Sequence, residues 1–194
     1  MMISAIILAA GKSKRMGQSK MLLPWGETTV LGQVISVLQS AGLEDVVTVT
    51  GGFREQVEEL AKRFGLRTVF NPEYDSSEML SSIQCGLRSL NAEAEAALIC
   101  LGDQPQVQER SVRMVREAFE QSRSRIVVPS YRMRRGHPWL VARPLWDEIL
   151  RMKFPQSPRD FLNNHAKEIA YVEIDNTSIL EDLDTPEDYL RFKP

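Results

Sequence analysis

The sequence has few cysteines and no excess charge of either sign. Among its 194 residues only Cys85 and Cys100 are cysteines, which is too few for a disulfide framework, and they do not form a C-x-x-C pair. The formal net charge is −2, whereas domains that bind nucleic acid usually carry a clear basic excess. We therefore expect a protein of the reducing cytoplasm whose main partner is not nucleic acid.

The sequence also lacks an apolar run long enough to cross a membrane. Residues 3–10 form an apolar stretch, but it falls far short of the ~20 apolar residues that a membrane span needs. Positive charges follow this stretch, whereas a signal peptide carries them before it. We interpret the stretch as a buried strand and expect no membrane partner.

The composition that remains is typical of a soluble domain. Hydrophobic residues make up 43% of the chain and charged residues 26%. A chain of this length can bury about 70% of its unfolded surface. Because the sequence shows no repeat, linker or low-complexity segment, we predict one domain that spans residues 1–194.

Short runs of β-branched and aliphatic residues alternate with segments of helical spacing. Strands are predicted at residues 3–9, 45–50, 66–70, 96–101, 126–128, 139–142 and 169–174. Helices are predicted at residues 31–38, 53–64, 78–90, 107–121, 145–152 and 186–192. This alternation predicts an α/β fold of three layers, in which helices cover both faces of a mostly parallel sheet.

The loop after the first predicted strand combines glycines with positive charge. Ligands of parallel sheets bind beyond the carboxyl ends of the strands, where this loop lies. Gly11 and Gly17 can expose backbone N–H groups, and four cations supply the charge to hold phosphates: Lys12, Lys14, Arg15 and Lys20. The spacing fits neither a Walker loop nor the pattern G-x-G-x-x-G. From the residues alone, phosphate binding and a solvated basic loop both remain open.

Two acidic positions are candidates for metal binding. Asp103 follows a strand that is apolar throughout, and Mg²⁺ binds through one or two carboxylates together with substrate phosphate oxygens. A turn residue is an equal alternative for Asp103. Asp184 lies among five acids in residues 181–188, where capping of the last helix by Asp184 or Thr185 is the favoured interpretation.

Five segments resemble those of nucleotidyltransferases that attach a nucleotide to molybdopterin. Residues 8–24, L-A-A-G-K-S-K-R-M-G-Q-S-K-M-L-L-P, are similar to the signature L-A-A-G-x-S-x-R-M-G-x-x-K-x-L-L-P of the molybdenum cofactor cytidylyltransferases. The loop of the related guanylyltransferases usually reads L-A-G-G. The other segments are N-P with M-L-S-S-I-Q-C-G-L in residues 71–87, G-D-Q-P at 102–105, R-G-H-P at 135–138 and D-L-D-T-P-E-D at 182–188.

The resemblance implies a single Rossmann-like nucleotidyltransferase domain with a mostly parallel, mixed sheet. It implies catalytic roles for Asp103, Lys20 and Arg15, with Asp103 and Asp184 at Mg²⁺, for which Mn²⁺ is the alternative ion. Nucleotide contacts are implied for Leu8, Ala9, Ala10, Gly11, Arg15, Lys20, Ser81 and Ser82. Contacts to the acceptor are implied for Gly136 and His137, beside a basic segment that contains Arg123, Arg125, Arg132, Arg134 and Arg135.

Two positions differ from patterns of the wider family. Ala10 replaces a family glycine, and its methyl group near the base favours a pyrimidine over a purine. Glu78 stands where the family usually has glycine, in the segment whose Ser81 and Ser82 fit helix capping equally well.

The implied reaction is transfer of CMP from CTP to the terminal phosphate of molybdenum-bound molybdopterin, with release of pyrophosphate. The implied partners are CTP, the molybdopterin substrate and a recipient molybdoenzyme of the xanthine or aldehyde oxidase type. The alternatives are a GTP-using guanylyltransferase, a sugar-phosphate nucleotidyltransferase and a non-catalytic chaperone that delivers finished cofactor to a molybdoenzyme.

Overall fold

A computed structural model describes residues 1–13, 15–75, 79–122 and 124–194. Lys14, Arg123 and the predicted helix start at Glu78 lie outside these ranges. The described strands are β1 (Ile3–Ala9), β2 (Pro24–Trp25), β3 (Thr28–Thr29), β4 (Val46–Thr50), β5 (Arg67–Phe70), β6 (Ala96–Leu101), β7 (Ile126–Tyr131), β8 (Arg134–Arg135), β9 (Trp139–Ala142) and β10 (Ile169–Glu173). The described α-helices are α1 (Val30–Ser40), α2 (Arg54–Arg63), α3 (Met79–Ser89), α4 (Glu109–Gln121), α5 (Trp146–Arg151), α6 (Pro158–Asn164) and α7 (Pro186–Phe192).

The strands form a main sheet with the order β10-β7-β9-β6-β1-β4-β5, and β8 pairs with β7 beside it. β1 runs parallel to β4 and β6, β4 runs parallel to β5, and β7 runs parallel to β10. β9 is antiparallel to β6 and β7, and β8 is antiparallel to β7. The sheet is therefore mixed and mostly parallel, as predicted.

Each face of the sheet packs against its own layer of helices. Side chains of a strand alternate between the two faces, so Ile7 of β1 packs in a cluster with residues of α1, α2 and α4, whereas Ile6 packs with α3, α5 and α6. Every residue of β1 is buried. This arrangement confirms the predicted three-layer α/β fold, and it brings the loops after β1, β4 and β6 to one edge of the sheet.

The sequence does not predict α6 or the hairpin of β2 and β3. Only Phe161 and Leu162 of the seven residues in α6 are buried, which is too few to give a helical pattern. Pro158 is the first residue of α6 and follows the capping residue Ser157. The two-residue strands β2 and β3 are too short to show alternation.

Within the described residues, no helix combines the length and the apolar character that crossing a membrane requires. The assignment of residues 1–194 to one domain stays a prediction.

Candidate active site

Three loops meet at the edge of the sheet formed by the carboxyl ends of β1, β4 and β6. β1 pairs with both other strands, so the loops that follow the three strands are neighbours. The Gly52 amide donates to the Ala10 carbonyl at 3.1 Å, and the Gly102 amide donates to the Leu8 carbonyl at 3.0 Å. The basic loop therefore lies between the loop after β4 and the loop that carries Asp103.

The loop after β4 begins with two glycines that the sequence analysis does not identify. A Cβ atom at Gly51 would collide with the carbonyl oxygen of Ala10. A Cβ atom at Gly52 would lie 3.0 Å from Lys12 Cα and 3.1 Å from the Gly11 carbonyl oxygen. Glycine at both positions lets the two backbone segments approach closely. A glycine pair at the carboxyl end of a predicted parallel strand is the sequence signal that identifies such a loop.

Lys20 joins the two carboxylates that were predicted to bind metal. Its Nζ atom contacts Oδ2 of Asp103 and lies 3.1 Å from Oδ1 of Asp184. The side chains of Lys20 and Asp103 are only 12% and 15% exposed, whereas that of Asp184 is 53% exposed. Two carboxylates from distant parts of the sequence therefore face one point in space, at the mouth of the basic loop.

Backbone hydrogen bonds fix the segments that carry this cluster. The Leu183 amide donates to the Asp103 carbonyl at 3.1 Å, which joins the segment before α7 to the end of β6. The Lys20 amide donates to Oγ of Ser13 at 3.1 Å, which closes the basic loop on itself. The cluster is thus held by its backbone as well as by its charges.

Thr185, rather than Asp184, caps α7. The Thr185 hydroxyl accepts from the Asp188 amide at 3.2 Å, and the Asp188 carboxylate accepts from the Thr185 amide at 2.9 Å. This reciprocal pair is a capping box. Because Thr185 performs the capping, the carboxylate of Asp184 is available to Lys20.

The carboxylates keep Lys20 positively charged. Burial acts to lower the pKa of Lys20, but the charge of Asp103 and the hydrogen bonds to Asp103 and Asp184 outweigh burial and raise this pKa above its ordinary value. The ammonium group is therefore a permanent cation at neutral pH. It neutralises carboxylates in the absence of ligand and is suited to phosphate binding when an anion arrives.

Asp182 is a third carboxylate at this place, and the sequence analysis does not assign it a role. Gln104, which is buried, donates from Nε2 to Oδ1 of Asp182. Desolvation and then repulsion by Asp103 raise the pKa of Asp182 to about 6, although the Gln104 hydrogen bond opposes the change. Asp182 lies two residues before Asp184, with Leu183 between them. This D-x-D spacing is the sequence signal that could have identified it.

The donor set fits a divalent cation that also binds phosphate. Asp103 and Asp184 both contact the same ammonium nitrogen, so both can reach one positively charged centre. Among the described residues, no group of three or more His, Cys, Asp and Glu side chains is arranged to hold a metal ion. Mg²⁺ in sites that act on phosphates is typically bound by one or two carboxylates, and substrate phosphate oxygens supply further ligands.

The other described cations of the basic loop pair with two different acids. The Arg15 side chain is 74% exposed, with Nη1 3.8 Å from Oδ2 of Asp184. Lys12 forms an ion pair with Asp75, and its Nζ atom lies 5.5 Å from the centre of the Tyr74 ring. Arg15 is therefore free to swing toward a ligand, while Lys12 is held against the loop that follows β5.

The structure places the predicted nucleotide-binding residues Leu8, Ala9, Ala10 and Gly11 at the end of β1 and the start of the basic loop. The side chains of Leu8, Ala9 and Ala10 are buried. Gly11 is exposed, and a Cβ atom there would have no neighbour within 4 Å. Gly11 is therefore the open position of this stretch, whereas Leu8, Ala9 and Ala10 belong to the core.

Ser81 and Ser82 are inside α3 rather than at a capping position. Both are buried, and the side-chain amide of Asn71 donates to their hydroxyl oxygens at 2.9 and 3.1 Å. The serines thus hold Asn71, which lies at the end of β5. The capping alternative for these two residues is wrong, because the helix already includes them.

Gly136 and His137 lie beside the segment that leads to Asp184. The Gly136 amide donates to the Pro129 carbonyl and the His137 amide to the Ile179 carbonyl, each at 2.9 Å. A Cβ atom at Gly136 would collide with the Ile179 carbonyl oxygen, so close packing alone requires glycine. Burial lowers the pKa of His137 to about 4, and its ring is therefore neutral at neutral pH.

Three arginines of the basic segment, Arg132, Arg134 and Arg135, lie in the turn and in the second strand of the hairpin of β7 and β8. The Arg135 guanidinium donates to Asn163 Oδ1 at 2.7 Å and to the Tyr171 hydroxyl at 2.9 Å. Arg132 and Arg134 are exposed. Arg135 is thus used to join the hairpin to α6 and β10, which leaves Arg132 and Arg134 as the solvent-facing cations of the hairpin.

Comparison with known proteins identifies relatives of this chain. Residues 5–169 match a family model described as a MobA-like NTP transferase domain. The chain is 30% identical to the molybdenum cofactor cytidylyltransferase of Escherichia coli (strain K12), over 98% of this chain and 95% of that protein.

Solved structures have the same fold. The crystal structure of Rv0371c from Mycobacterium tuberculosis H37Rv in complex with manganese is 26% identical, with a TM-score of 0.82 over 98% of this chain and 97% of that chain. A nucleotidyl transferase from Methanothermobacter thermautotroptrophicus is 24% identical, with a TM-score of 0.84 over 99% of this chain and 96% of that chain.

Proposed function

The chain belongs to the MobA-like NTP transferase family, and from this premise we propose that it transfers CMP from CTP to the terminal phosphate of molybdenum-bound molybdopterin. That it is a nucleotidyltransferase follows from the family match and from the relatives. The observation that supports the site of transfer is the contact of Lys20 with both Asp103 and Asp184 beside the basic loop.

The proposed reaction is a displacement at phosphorus. An oxygen of the acceptor's terminal phosphate bonds to the α-phosphorus of CTP while the bond between that phosphorus and the oxygen bridging to the β-phosphate breaks, and pyrophosphate leaves. Such a reaction depends mainly on in-line placement of the reactants and on neutralisation of charge. The fixed cluster at the carboxyl ends of β1 and β6 suits both requirements.

Lys20 and Arg15 are the residues that hold the triphosphate and the leaving pyrophosphate. Arg15 offers a planar group with two parallel N–H donors, and Lys20 offers a compact charge. To reach the phosphates, Lys20 exchanges its carboxylate partners for phosphate oxygens. The exchange leaves Asp103 and Asp184 to hold the cation, which is Mg²⁺ in this proposal with Mn²⁺ as the alternative. When bound, a divalent ion neutralises charge on the phosphate oxygens.

We assign base choice and acceptor binding to different residues near the cluster of Lys20, Asp103 and Asp184. In this proposal the preference for cytosine over guanine rests on the resemblance of the loop to that of the cytidylyltransferases, in which Ala10 takes the place of a glycine. Gly136 and His137 line the approach for the acceptor. The neutral ring of His137 can form a hydrogen bond there without adding charge. The recipient molybdoenzyme and the cytoplasmic location stay predictions.

Product analysis tests this proposal. The protein is incubated with Mg²⁺, molybdopterin cofactor and CTP, GTP or UTP in turn, and the dinucleotide is identified by mass. We expect a cytosine dinucleotide and pterin-dependent release of pyrophosphate, because the loop carries Ala10 and the relatives include a molybdenum cofactor cytidylyltransferase. Equal use of GTP would contradict the argument from Ala10. Transfer to a sugar phosphate, or binding without pyrophosphate release, would establish one of the alternative functions instead.

A further inference from the structure

A cavity of about 700 Å³ lies beside α3, between the edge strand β5 and the segment that joins α5 to α6. Its volume is within the range of small-molecule sites, roughly 300–1,000 Å³. None of Lys20, Asp103 and Asp184 lines it. Most of the lining therefore lies outside the residues that are assigned to the proposed transfer reaction.

The cavity extends away from the candidate active site. At one end it is lined by Asn71 and Ser81, which belong to the predicted nucleotide region. At the other end it is lined by Arg88 and Ser89, about two helical turns or roughly 10 Å further along α3. The Ser89 carbonyl accepts from the guanidinium of Arg67 at the first residue of β5, so this far end lies toward the opposite edge of the sheet.

One wall of the cavity is apolar and is held in place by Gln84. The Gln84 side-chain amide donates to the Ile149 carbonyl at 2.8 Å and to the Met152 carbonyl at 3.0 Å, which fixes the end of α5 against α3. Met152 and Phe154 line the cavity beyond these bonds. Phe154 is 80% exposed, so a large aromatic ring stands in solvent at the rim. Such a ring is a ready surface for stacking.

The lining of the cavity also carries positive charge. Arg88 and Lys153 line the cavity, and within the described ranges neither forms a salt bridge, in contrast to Arg63 and Arg67. The acidic residue of the lining, Glu73, lies next to Asn71 at the opposite end. Two cations beside an exposed aromatic ring match a ligand that is both flat and anionic.

We propose that this cavity is a second ligand site, distinct from the transfer site, for a small aromatic molecule that carries a negative charge. The ring lies against Phe154 and Met152, and the anionic group faces Arg88 and Lys153. A phosphorylated nucleoside and an acidic pterin share this chemistry.

Cys85 provides a reporter inside the cavity. It lines the space and is half-buried, whereas Cys100, the other cysteine of the chain, is buried within β6. Burial raises the pKa of the Cys85 thiol, with Arg88 acting in the opposite direction, so alkylation is measured at mildly alkaline pH. A ligand in the cavity covers the thiol and slows its alkylation.

The test uses the full chain and the anionic dye 8-anilinonaphthalene-1-sulfonate as the probe. We expect saturable binding, protection of Cys85 by the dye, and a roughly tenfold loss of affinity in the double variant Arg88→Gln, Lys153→Gln. The matched control is Lys62→Gln, Arg63→Gln on α2, which removes the same charges elsewhere. Unchanged binding by the cavity variant, or no protection of Cys85, overturns the proposal.

Two further measurements separate this site from the transfer site. Displacement of the dye by CMP or by pterin-6-carboxylate distinguishes a nucleotide from a pterin as the occupant. CMP transfer by the Arg88, Lys153 double variant without dye is expected to equal that of the wild type, because neither residue touches the transfer site. The two proposals can therefore fail separately. If dye binding depends on Arg88 and Lys153 but the wild type transfers no CMP, the cavity site is supported and the proposed function is contradicted.

Discussion

At the scale of the residue, Lys20 is the cation that balances the two acids of the candidate site. Its ammonium group neutralises Asp103 and Asp184, so the carboxylates are not left as unpaired charges in a partly buried place. The same contact means that a metal ion arriving without nucleotide meets a positive charge between its ligands. Phosphates of a nucleotide are the natural competitor for Lys20, because they offer it a stronger partner.

This competition predicts the metal affinity of a Lys20 variant. In the absence of nucleotide, Lys20→Gln is expected to bind Mn²⁺ roughly tenfold more tightly than the wild type, because one repelling charge close to the ion is removed. Free Mn²⁺ can be titrated by electron paramagnetic resonance. Lys12→Gln, which removes a loop lysine paired with Asp75 instead, is the matched control and is expected to bind as the wild type does. Equal Mn²⁺ affinity in the Lys20 variant and the wild type would rule out the competition.

His165 is a second residue whose charge depends on its partners. Its Nε2 atom lies 2.9 Å from Glu148 and its Nδ1 atom 3.0 Å from Glu168, so both ring nitrogens face carboxylates. Burial acts to lower the pKa of His165, but hydrogen bonds to Glu168 and Glu148 outweigh it and raise the pKa. A raised pKa in the folded state stabilises the protein below the unfolded value of about 6.5, and this stabilisation is lost as pH rises through the folded value.

We therefore expect His165→Gln to lower the free energy of unfolding more at about pH 6 than at about pH 9. Urea unfolding of wild type and variant at both pH values measures the difference. The exposed neighbour variant Asn164→Gln is the control and is expected to show no such dependence. A loss of stability in His165→Gln that is the same at both pH values would show that His165 acts by packing against Phe161 alone.

At the scale of the element, α3 depends on its close approach to β1. A Cβ atom at Gly86 would lie 2.5 Å from Cγ2 of Ile6, which is fully buried in the central part of the sheet. This approach seats Ser81 and Ser82 against Asn71 at one end of the helix. The same helix forms a wall of the cavity at its other end, so its position governs both ligand regions.

Gly86→Ala is expected to lower the free energy of unfolding by roughly 1–3 kcal/mol, because the added methyl group forces α3 away from β1. The matched control is Arg88→Ala, an alanine at an exposed position of the same helix, with an expected change within about 0.5 kcal/mol. Urea unfolding measures both. If Gly86→Ala has the same urea midpoint of unfolding as the wild type, α3 is able to shift without cost and the prediction is wrong.

Elements with a strong local pattern could be predicted from the sequence, and those defined by distant contacts could not. β1 and β6 are apolar throughout, so their burial on both faces shows in the sequence. The direction of β9 does not, because it depends on how the chain returns to pair with β6. α6 has too few buried positions to show a period.

For the candidate site too, some features could be predicted from the sequence and others could not. Asp103 and Lys20 lie in motifs that follow predicted strands, and Asp184 lies in an acidic motif, so these residues could be predicted. The contact between them could not, because it requires the segment before α7 to pair with the end of β6 through Leu183. The glycine pair after β4 is visible in the sequence, but the approach of Gly52 to the basic loop is not, because it depends on a contact between distant segments.

At the scale of the whole molecule, the near-zero net charge results from cancellation between local charges of opposite sign. The basic loop after β1 and the acidic segment before α7 are separated by most of the chain, yet they meet at Lys20, Asp103 and Asp184. In the proposed function, transfer activity therefore depends on the complete fold, because neither segment contains the proposed site alone. Such a paired site suits one highly charged small substrate rather than an extended polyanion.

Turnover by Asp103→Asn tests this account most directly. Pyrophosphate release with Mg²⁺, CTP and molybdopterin is compared among the wild type, Asp103→Asn and the matched control Asp175→Asn, an exposed aspartate paired with Arg110. The account predicts a loss of at least about 10²-fold in Asp103→Asn, with the fold retained by circular dichroism and with wild-type turnover in the control. Wild-type turnover by Asp103→Asn in the presence of Mg²⁺ would contradict it.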